Sequence, residues 1–194
     1  MKIAMLGGSF NPVHIGHLIL AGEVRRTLGY DKIMFVPAYI PPHKQPLTDV
    51  PANERCDMVR AAVRGNRHFT VSDFELRKKD ISYTFETIKY LYASVAGVSG
   101  RIGLILGDDL IAGLPRWRNI DKLAELVDFI VATRDETEAG AKAAMQFPAS
   151  FCRMPKIDIS STMIRERLMQ GDDCRYLLPD GVYRFIKQKK LYKK

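Results

Sequence analysis

An α/β fold, with a doubly wound, mostly parallel sheet and helices on both faces, is what this sequence predicts, and three observations carry the prediction. Short continuous apolar runs recur along the chain, stretches of helical periodicity separate them, and most of the runs give way to Gly, Pro or charged residues rather than to hairpin turns. Strands covered on both faces read as unbroken apolar runs, which is the signature of a parallel sheet. The 194 residues suit a single domain, 1–194, with a C-terminal helical segment over about 160–194.

Lys2 to Leu6 reads as a buried strand that Gly7-Gly8-Ser9 breaks. His17 to Thr27 follows as a helix with Leu18, Leu20, Ala21 and Val24 inward, closed by Gly29. Lys32 to Pro37 is a second strand, followed by a Pro-studded loop from Ala38 to Pro51. Loops of that length in compact domains usually serve function, with a plain exposed turn as the alternative. Asn53 to Val63 reads as a helix, Phe69 to Val71 as a short strand, and Ser82-Tyr83-Thr84 opens a helix that runs through Ser94. Arg101 to Leu106 is the next strand, Ile120 to Leu126 is helical, and Val127 to Ala132 is another strand. Phe151 to Met154 is a last strand, Ser160 to Met169 a helix capped by its own hydroxyls, and Pro179 to Lys190 the terminal helix. Ligands in such sheets sit beyond the carboxyl ends of strands, which ranks Gly7 to His17, Pro37 to Lys44, Gly107 to Asp109 and Arg134 above all other segments.

Composition excludes several classes. With 46% apolar residues, one Trp, eight Tyr and nine Phe, the chain can bury a sizeable core and is not globally disordered. No run approaches ~18 apolar residues, and the first apolar stretch meets Gly7-Gly8 and Asn11-Pro12 rather than a cleavage site, so a cytoplasmic protein without membrane association is expected. Cys56, Cys152 and Cys174 are too few for a disulfide framework or a zinc site. The formal net charge of +8 raises a polyanion as partner. Six of the cations, however, are Arg184, Lys187, Lys189, Lys190, Lys193 and Lys194, in a terminal stretch without one acid. Val182, Phe185, Ile186 and Leu191 let that helix dock while its lysines face water and offset the macrodipole, a reading preferred to a nucleic-acid patch.

Two constellations carry chemistry. In Gly7-Gly8-Ser9-Phe10-Asn11-Pro12-Val13-His14-Ile15-Gly16-His17, glycines after a strand let a phosphate approach the backbone, and two imidazoles three apart at the mouth of a helix can bracket one anion. In Ser160-Ser161-Thr162-Met163-Ile164-Arg165, the guanidinium lies on the same helical side as two hydroxyls and the N-terminal amides, a socket for a polyphosphate. The ordinary alternatives are a hydrogen-bonded structural His in the first and helix capping in the second, and capping is compatible with phosphate binding.

The first stretch resembles the HxGH signature of the nucleotidylyltransferase superfamily, and the second its Ser-Ser-Thr-x-x-Arg signature. Within that superfamily the whole chain is similar to the bacterial nicotinate-nucleotide adenylyltransferases, through Gly7-Gly8-Ser9-Phe10-Asn11-Pro12, Pro41-Pro42-His43-Lys44, Gly107-x-Asp109 and Leu114-Pro115-Arg116-Trp117 in the expected order. The resemblance implies a Rossmann-like nucleotidylyltransferase fold and adenylyl transfer from ATP to nicotinate mononucleotide, with nicotinate adenine dinucleotide and pyrophosphate as products in NAD biosynthesis. It implies that His14, His17 and Arg165 are the catalytic residues and that Ser161, Thr162 and Arg165 hold the β and γ phosphates. Gly7, Gly8, Ser9 and Phe10 would line the ATP site, and Gly107 and Asp109 would take a ribose. His43 and Lys44 would neutralise the incoming mononucleotide phosphate. Trp117 would stack on the nicotinate ring, with burial as a core anchor the alternative, and its carboxylate would meet backbone donors near Thr84 and Trp117. Arg118 and Arg134 complete the mononucleotide-binding set, although Asp135-Glu136 replace the Pro-Gly that often follows Arg134 in the family. Asp108 stands where a small residue is common. A Mg²⁺ is implied as a cofactor carried by the ATP phosphates, with no metal site in the protein.

A phosphopantetheine adenylyltransferase is the nearest competing family, and His14 and Trp117 argue against it. A basic RNA-binding domain would instead depend on residues 184–194. The His-Ile-Gly-His sequence is also similar to that of class I aminoacyl-tRNA synthetases, but no KMSKS-like segment is present. No nucleic acid is expected as partner, and an oligomer is possible without being implied.

Overall fold

The computed structural model describes residues 1–40, 50–133 and 138–193. Six strands form one sheet: β1 (Ile3–Gly8), β2 (Lys32–Pro37), β3 (Phe69–Val71), β4 (Ile102–Gly107), β5 (Val127–Thr133) and β6 (Ala149–Arg153), in the order β3-β2-β1-β4-β5-β6. The helices are α1 (Ile15–Leu28), α2 (Ala52–Val63), α3 (Phe74–Lys78), α4 (Thr84–Ser94), α5 (Ile120–Leu126), α6 (Glu138–Ala144), α7 (Ser161–Gln170) and α8 (Asp180–Lys189). The chain starts mid-sheet, steps to one edge, and returns to β4 to build the other half, which is the doubly wound arrangement. The β1–β4, β4–β5 and β5–β6 pairs are parallel.

The chain divides into two compact units, one of Met1–Leu6, Leu20–Met34 and Tyr83–Lys156, the other of Gly7–Ile19, Phe35–Ser82 and Ile157–Lys194. In the first, Ile102, Leu104, Leu106, Phe129, Ile130 and Val131 are buried, so β4 and most of β5 read as apolar runs, with Asp128 near the start of β5 exposed. The Tyr92 hydroxyl donates to the Leu126 carbonyl at 2.7 Å and accepts from the Ile102 N–H at 3.0 Å, joining α4, the end of α5 and the start of β4. In the second unit, α2 packs on α8. Cys56, Met58 and Val59 of α2 and Val182 and Ile186 of α8 are buried.

Differences from the sequence reading have local causes. Helix α1 starts at Ile15, two residues before the predicted start, and Leu18 and Leu20 are only half-buried while Ala21 and Val24 form the inward face. Helix α3 has five residues and a 3₁₀ segment spans Asp108–Arg116 around Pro115, both too short or too irregular to leave a 3.6-residue apolar period. Helix α6 buries only Ala141, so it offers no apolar stripe. All three cysteines are free and buried. Among the described residues no helix is long and apolar enough to cross a membrane.

Candidate active site

Beyond the carboxyl end of β1, the chain turns through a positive φ at Phe10, whose ring is buried and meets the His17 imidazole edge-on at 5.1 Å between centroids. Phe10 also packs on Phe35, 5.8 Å away. The Phe10 side chain thus braces a histidine.

The His14 and His17 rings lie 3.8 Å apart, centroid to centroid, at the entrance to α1. The His14 backbone N–H donates to Nδ1 of His17 at 3.2 Å. With Nδ1 occupied as an acceptor, the neutral His17 ring carries its proton on Nε2, which is left as a donor. Gly16 makes this arrangement possible: a Cβ there would stand 3.1 Å from both Cε1 and Nδ1 of His14. His14 is only 7% exposed, and its buried Nδ1 finds no partner among the described residues. A buried polar atom without a partner costs free energy until something satisfies it.

Burial lowers His14 from its ordinary 6.5 to about 4. His17 falls to about 3, first through burial, then through repulsion from His14. Both rings are therefore neutral in the free protein at neutral pH.

Helix α7 closes on this turn from the far end of the sequence. The Ser161 hydroxyl donates to the Pro12 carbonyl at 2.8 Å, and Arg165 donates through Nη1 to the Asn11 carbonyl at 2.8 Å and through Nη2 to the Thr162 hydroxyl at 3.2 Å. Capping of α7 falls to Ser160, whose hydroxyl accepts from the Met163 N–H at 3.1 Å. The division of labour is clear: Ser160 caps, while Ser161, Thr162 and Arg165 sit with the histidine turn.

Two residues of this unit escaped the sequence reading. Tyr192 is buried, and its hydroxyl donates to Oδ1 of Asn11 at 2.6 Å, so the basic tail is anchored at the turn as well as solvated. Arg55 is 1% exposed and donates to the carbonyls of Ser9, Ala38 and Tyr39. Neither belongs to a local motif; only an aromatic in a lysine run and a charge on the buried face of a helix marked them.

In the other unit, Gly107 ends β4 and the next residues turn so tightly that a Cβ at 107 would collide with Oδ1 of Asp109. Asp109 is exposed. Trp117 is half-buried at the end of the 3₁₀ segment, its N–H donating to the Leu114 carbonyl at 3.0 Å, so it is not a core anchor. Its neighbour Arg118 lies over the Tyr83 ring at 4.5 Å, which brings residues 117–118 beside the start of α4, where Thr84 is the first helical residue. His43, Lys44 and Arg134 lie outside the described residues. Among the described residues no three His, Cys, Asp or Glu are grouped to hold a metal.

A parallel sheet with a glycine–histidine turn at one strand end defines an α/β protein of Rossmann-like fold, and residues 5–167 match the cytidylyltransferase-like family model; the chain belongs to that family. Its relatives are more particular. It is 38% identical to an Oceanobacillus iheyensis protein named "Probable nicotinate-nucleotide adenylyltransferase", over 98% of this chain and 96% of the other. It is 34% identical to a protein of the same name from Treponema pallidum, over 100% of each chain. A Plasmodium falciparum nicotinic acid mononucleotide adenylyltransferase complexed with NaAD shares the fold, with a TM-score of 0.79, 18% identity, and 98% and 97% coverage of the two chains. The Plasmodium enzyme complexed with APC gives a TM-score of 0.76 at 17% identity, with 98% and 96% coverage.

Proposed function

We propose that this protein transfers the adenylyl group of ATP to nicotinate mononucleotide, in NAD biosynthesis. The observation that carries this reading is the joining of the His14–His17 pair to Ser161, Thr162 and Arg165 around the Asn11–Pro12 turn. The full-length likeness to proteins named for this activity supports it.

A phosphate oxygen of the mononucleotide attacks the α-phosphorus in line; a bond forms there, the bond to the bridging oxygen breaks, and pyrophosphate leaves with that electron pair. A phosphate monoester with a second pKa near ~6 is largely dianionic at neutral pH and needs no general base. The protein's work is therefore to align two anions and to stabilise charge on the α-phosphate and the leaving group. His17, donating from Nε2, suits the α-phosphate; His14 supplies a second imidazole 3.8 Å away. Ser161, Thr162 and Arg165 supply hydroxyl and guanidinium donors for the β and γ phosphates, and Gly7, Gly8, Ser9 and Phe10 line the approach. Gly107 and Asp109 accept a ribose. Trp117 stacks on the electron-poor nicotinate ring, while Thr84 and Arg118, with His43, Lys44 and Arg134, complete the mononucleotide set. A Mg²⁺ carried by the triphosphate's own oxygens would neutralise charge there. Nucleotide substrates and three free, buried thiols accord with a cytoplasmic protein.

The test is pyrophosphate release from ATP with nicotinate mononucleotide, nicotinamide mononucleotide or phosphopantetheine. The expected outcome is turnover with the first, weaker or none with the second, and none with the third. Failure of all three refutes the reading.

A further inference from the structure

Arg55 is a further polar residue behind the nucleotide turn, and it comes from α2. Its side chain is among the largest fully buried ones, so ordering and desolvating it demands compensation. That compensation comes from backbone carbonyls at the carboxyl ends of two strands. Nη1 donates to Ser9 at 2.5 Å, while Nη2 donates to Ala38 at 2.7 Å and to Tyr39 at 3.1 Å. The same two segments are tied directly by the Ala38 N–H donating to the Gly8 carbonyl at 2.8 Å.

Fixing a carbonyl fixes its whole peptide plane. In a trans peptide the C=O and the following N–H point in opposite directions. At the Ala38–Tyr39 peptide the consequence is visible, because Arg55 holds the carbonyl and the Tyr39 N–H on the opposite side donates to the Ser82 hydroxyl at 3.0 Å. At the Ser9–Phe10 peptide the same reasoning turns the Phe10 N–H away from Arg55. A cation on the carbonyl also polarises the amide and strengthens its N–H as a donor to an anion.

From this geometry we infer that Arg55 is a positioning residue for adenylyl transfer: it orients and polarises the Ser9–Phe10 amide so that the Phe10 N–H donates to the ATP phosphates. The inference rests on the nucleotide reading of this turn. A Lys at 55 would keep the charge, but one ammonium cannot reproduce two nitrogens that serve two separate backbone segments.

The experiment is tripolyphosphate titration of the full chain, followed by the backbone amide spectrum and by calorimetry, with the wild type and Arg55→Lys. In the wild type the Phe10 amide proton should move downfield on saturation. In Arg55→Lys, with the rest of the spectrum native-like, that movement should fall by at least half and tripolyphosphate should bind about tenfold more weakly. Equal shifts and equal affinity in a folded Arg55→Lys overturn the inference. A wild-type Phe10 amide that stays still while the His17 resonances respond overturns it without any variant, which keeps the test decisive if Arg55→Lys does not fold. Absence of tripolyphosphate binding by the wild type overturns the nucleotide reading beneath it, and the inference falls with it.

Discussion

Nucleotide binding should draw a proton into the histidine pair. In the free protein His14 titrates at about 4 and His17 at about 3, so both are neutral at pH 6. One phosphate charge ~4 Å from an imidazolium contributes about 4 kcal/mol of attraction at an effective dielectric near 20. At 1.36 kcal/mol per pH unit this lifts a ring facing the phosphate by about three, His14 to near 7 and His17 to near 6, so that His14 takes the proton first. The second ring, 3.8 Å from the first, then faces a new positive charge and stays neutral. Uptake at pH 6 should thus be close to one proton rather than two, and affinity should fall roughly tenfold per unit of rising pH between about 5 and 7. The assay is calorimetric titration of a non-hydrolysable ATP analogue at fixed Mg²⁺, in three buffers of different ionisation enthalpy. The wild type is compared with the double variant His14→Asn, His17→Asn, so that the analogue's own ionisation is common to both. Equal proton counts in the two proteins would refute the reasoning.

Three further outcomes are expected. The folded pKa of His14 lies below its unfolded value of 6.5, so its contribution to stability is present above 6.5 and is lost as the pH falls towards about 4. Urea unfolding at pH 7 and pH 4 should show the wild type losing roughly 3 kcal/mol more than His14→Asn. Trp117→Ala should raise KM for nicotinate mononucleotide about tenfold or more while leaving KM for ATP within about twofold; matched losses would assign Trp117 a structural part. Tyr192→Phe removes one buried hydroxyl and leaves Oδ1 of Asn11 without that donor, which should cost about 1 to 3 kcal/mol of stability and lower kcat more than it raises KM for ATP; unchanged kcat would mean that the tail does not position the turn.

Much of this was legible in the sequence, and the exceptions share a physical cause. Strands β2 and β3 fall on the predicted residues because each is a short apolar or β-branched run with breakers at its ends, although β3, at the sheet edge, is only half-buried. The glycine–histidine turn and the Ser-Ser-Thr-x-x-Arg helix start were readable because each is local, a few residues whose spacing already fixes a shared face. What could not be read is how the two meet. Ser161 on Pro12, Arg165 on Asn11 and Tyr192 on Asn11 are contacts between residues about 150 to 180 apart, and no periodicity encodes them. Arg55 was hidden differently: a charge on a helix normally marks the solvent face, and here it lies on the buried one.

The terminal segment sharpens the electrostatic problem. Its lysines account for most of the formal charge of +8, yet the contact it makes with the nucleotide turn is through a neutral tyrosine. The turn itself presents two neutral imidazoles and, behind it, a buried Arg55 whose guanidinium is held by backbone carbonyls. Among its described side chains only Arg165 would, in the proposed reaction, bring a standing positive charge toward the phosphates, and that guanidinium is already hydrogen-bonded to Asn11 and Thr162. A turn whose described side chains carry little standing charge does not hold pyrophosphate as tightly as a cluster of lysines would, which favours product release. The charge it does need can arrive with the substrate, as a proton on the histidine pair when ATP binds, and depart with the product. Neutral imidazoles in the free protein are on this account a condition for turnover, and the proton count at pH 6 is the quantity that decides it.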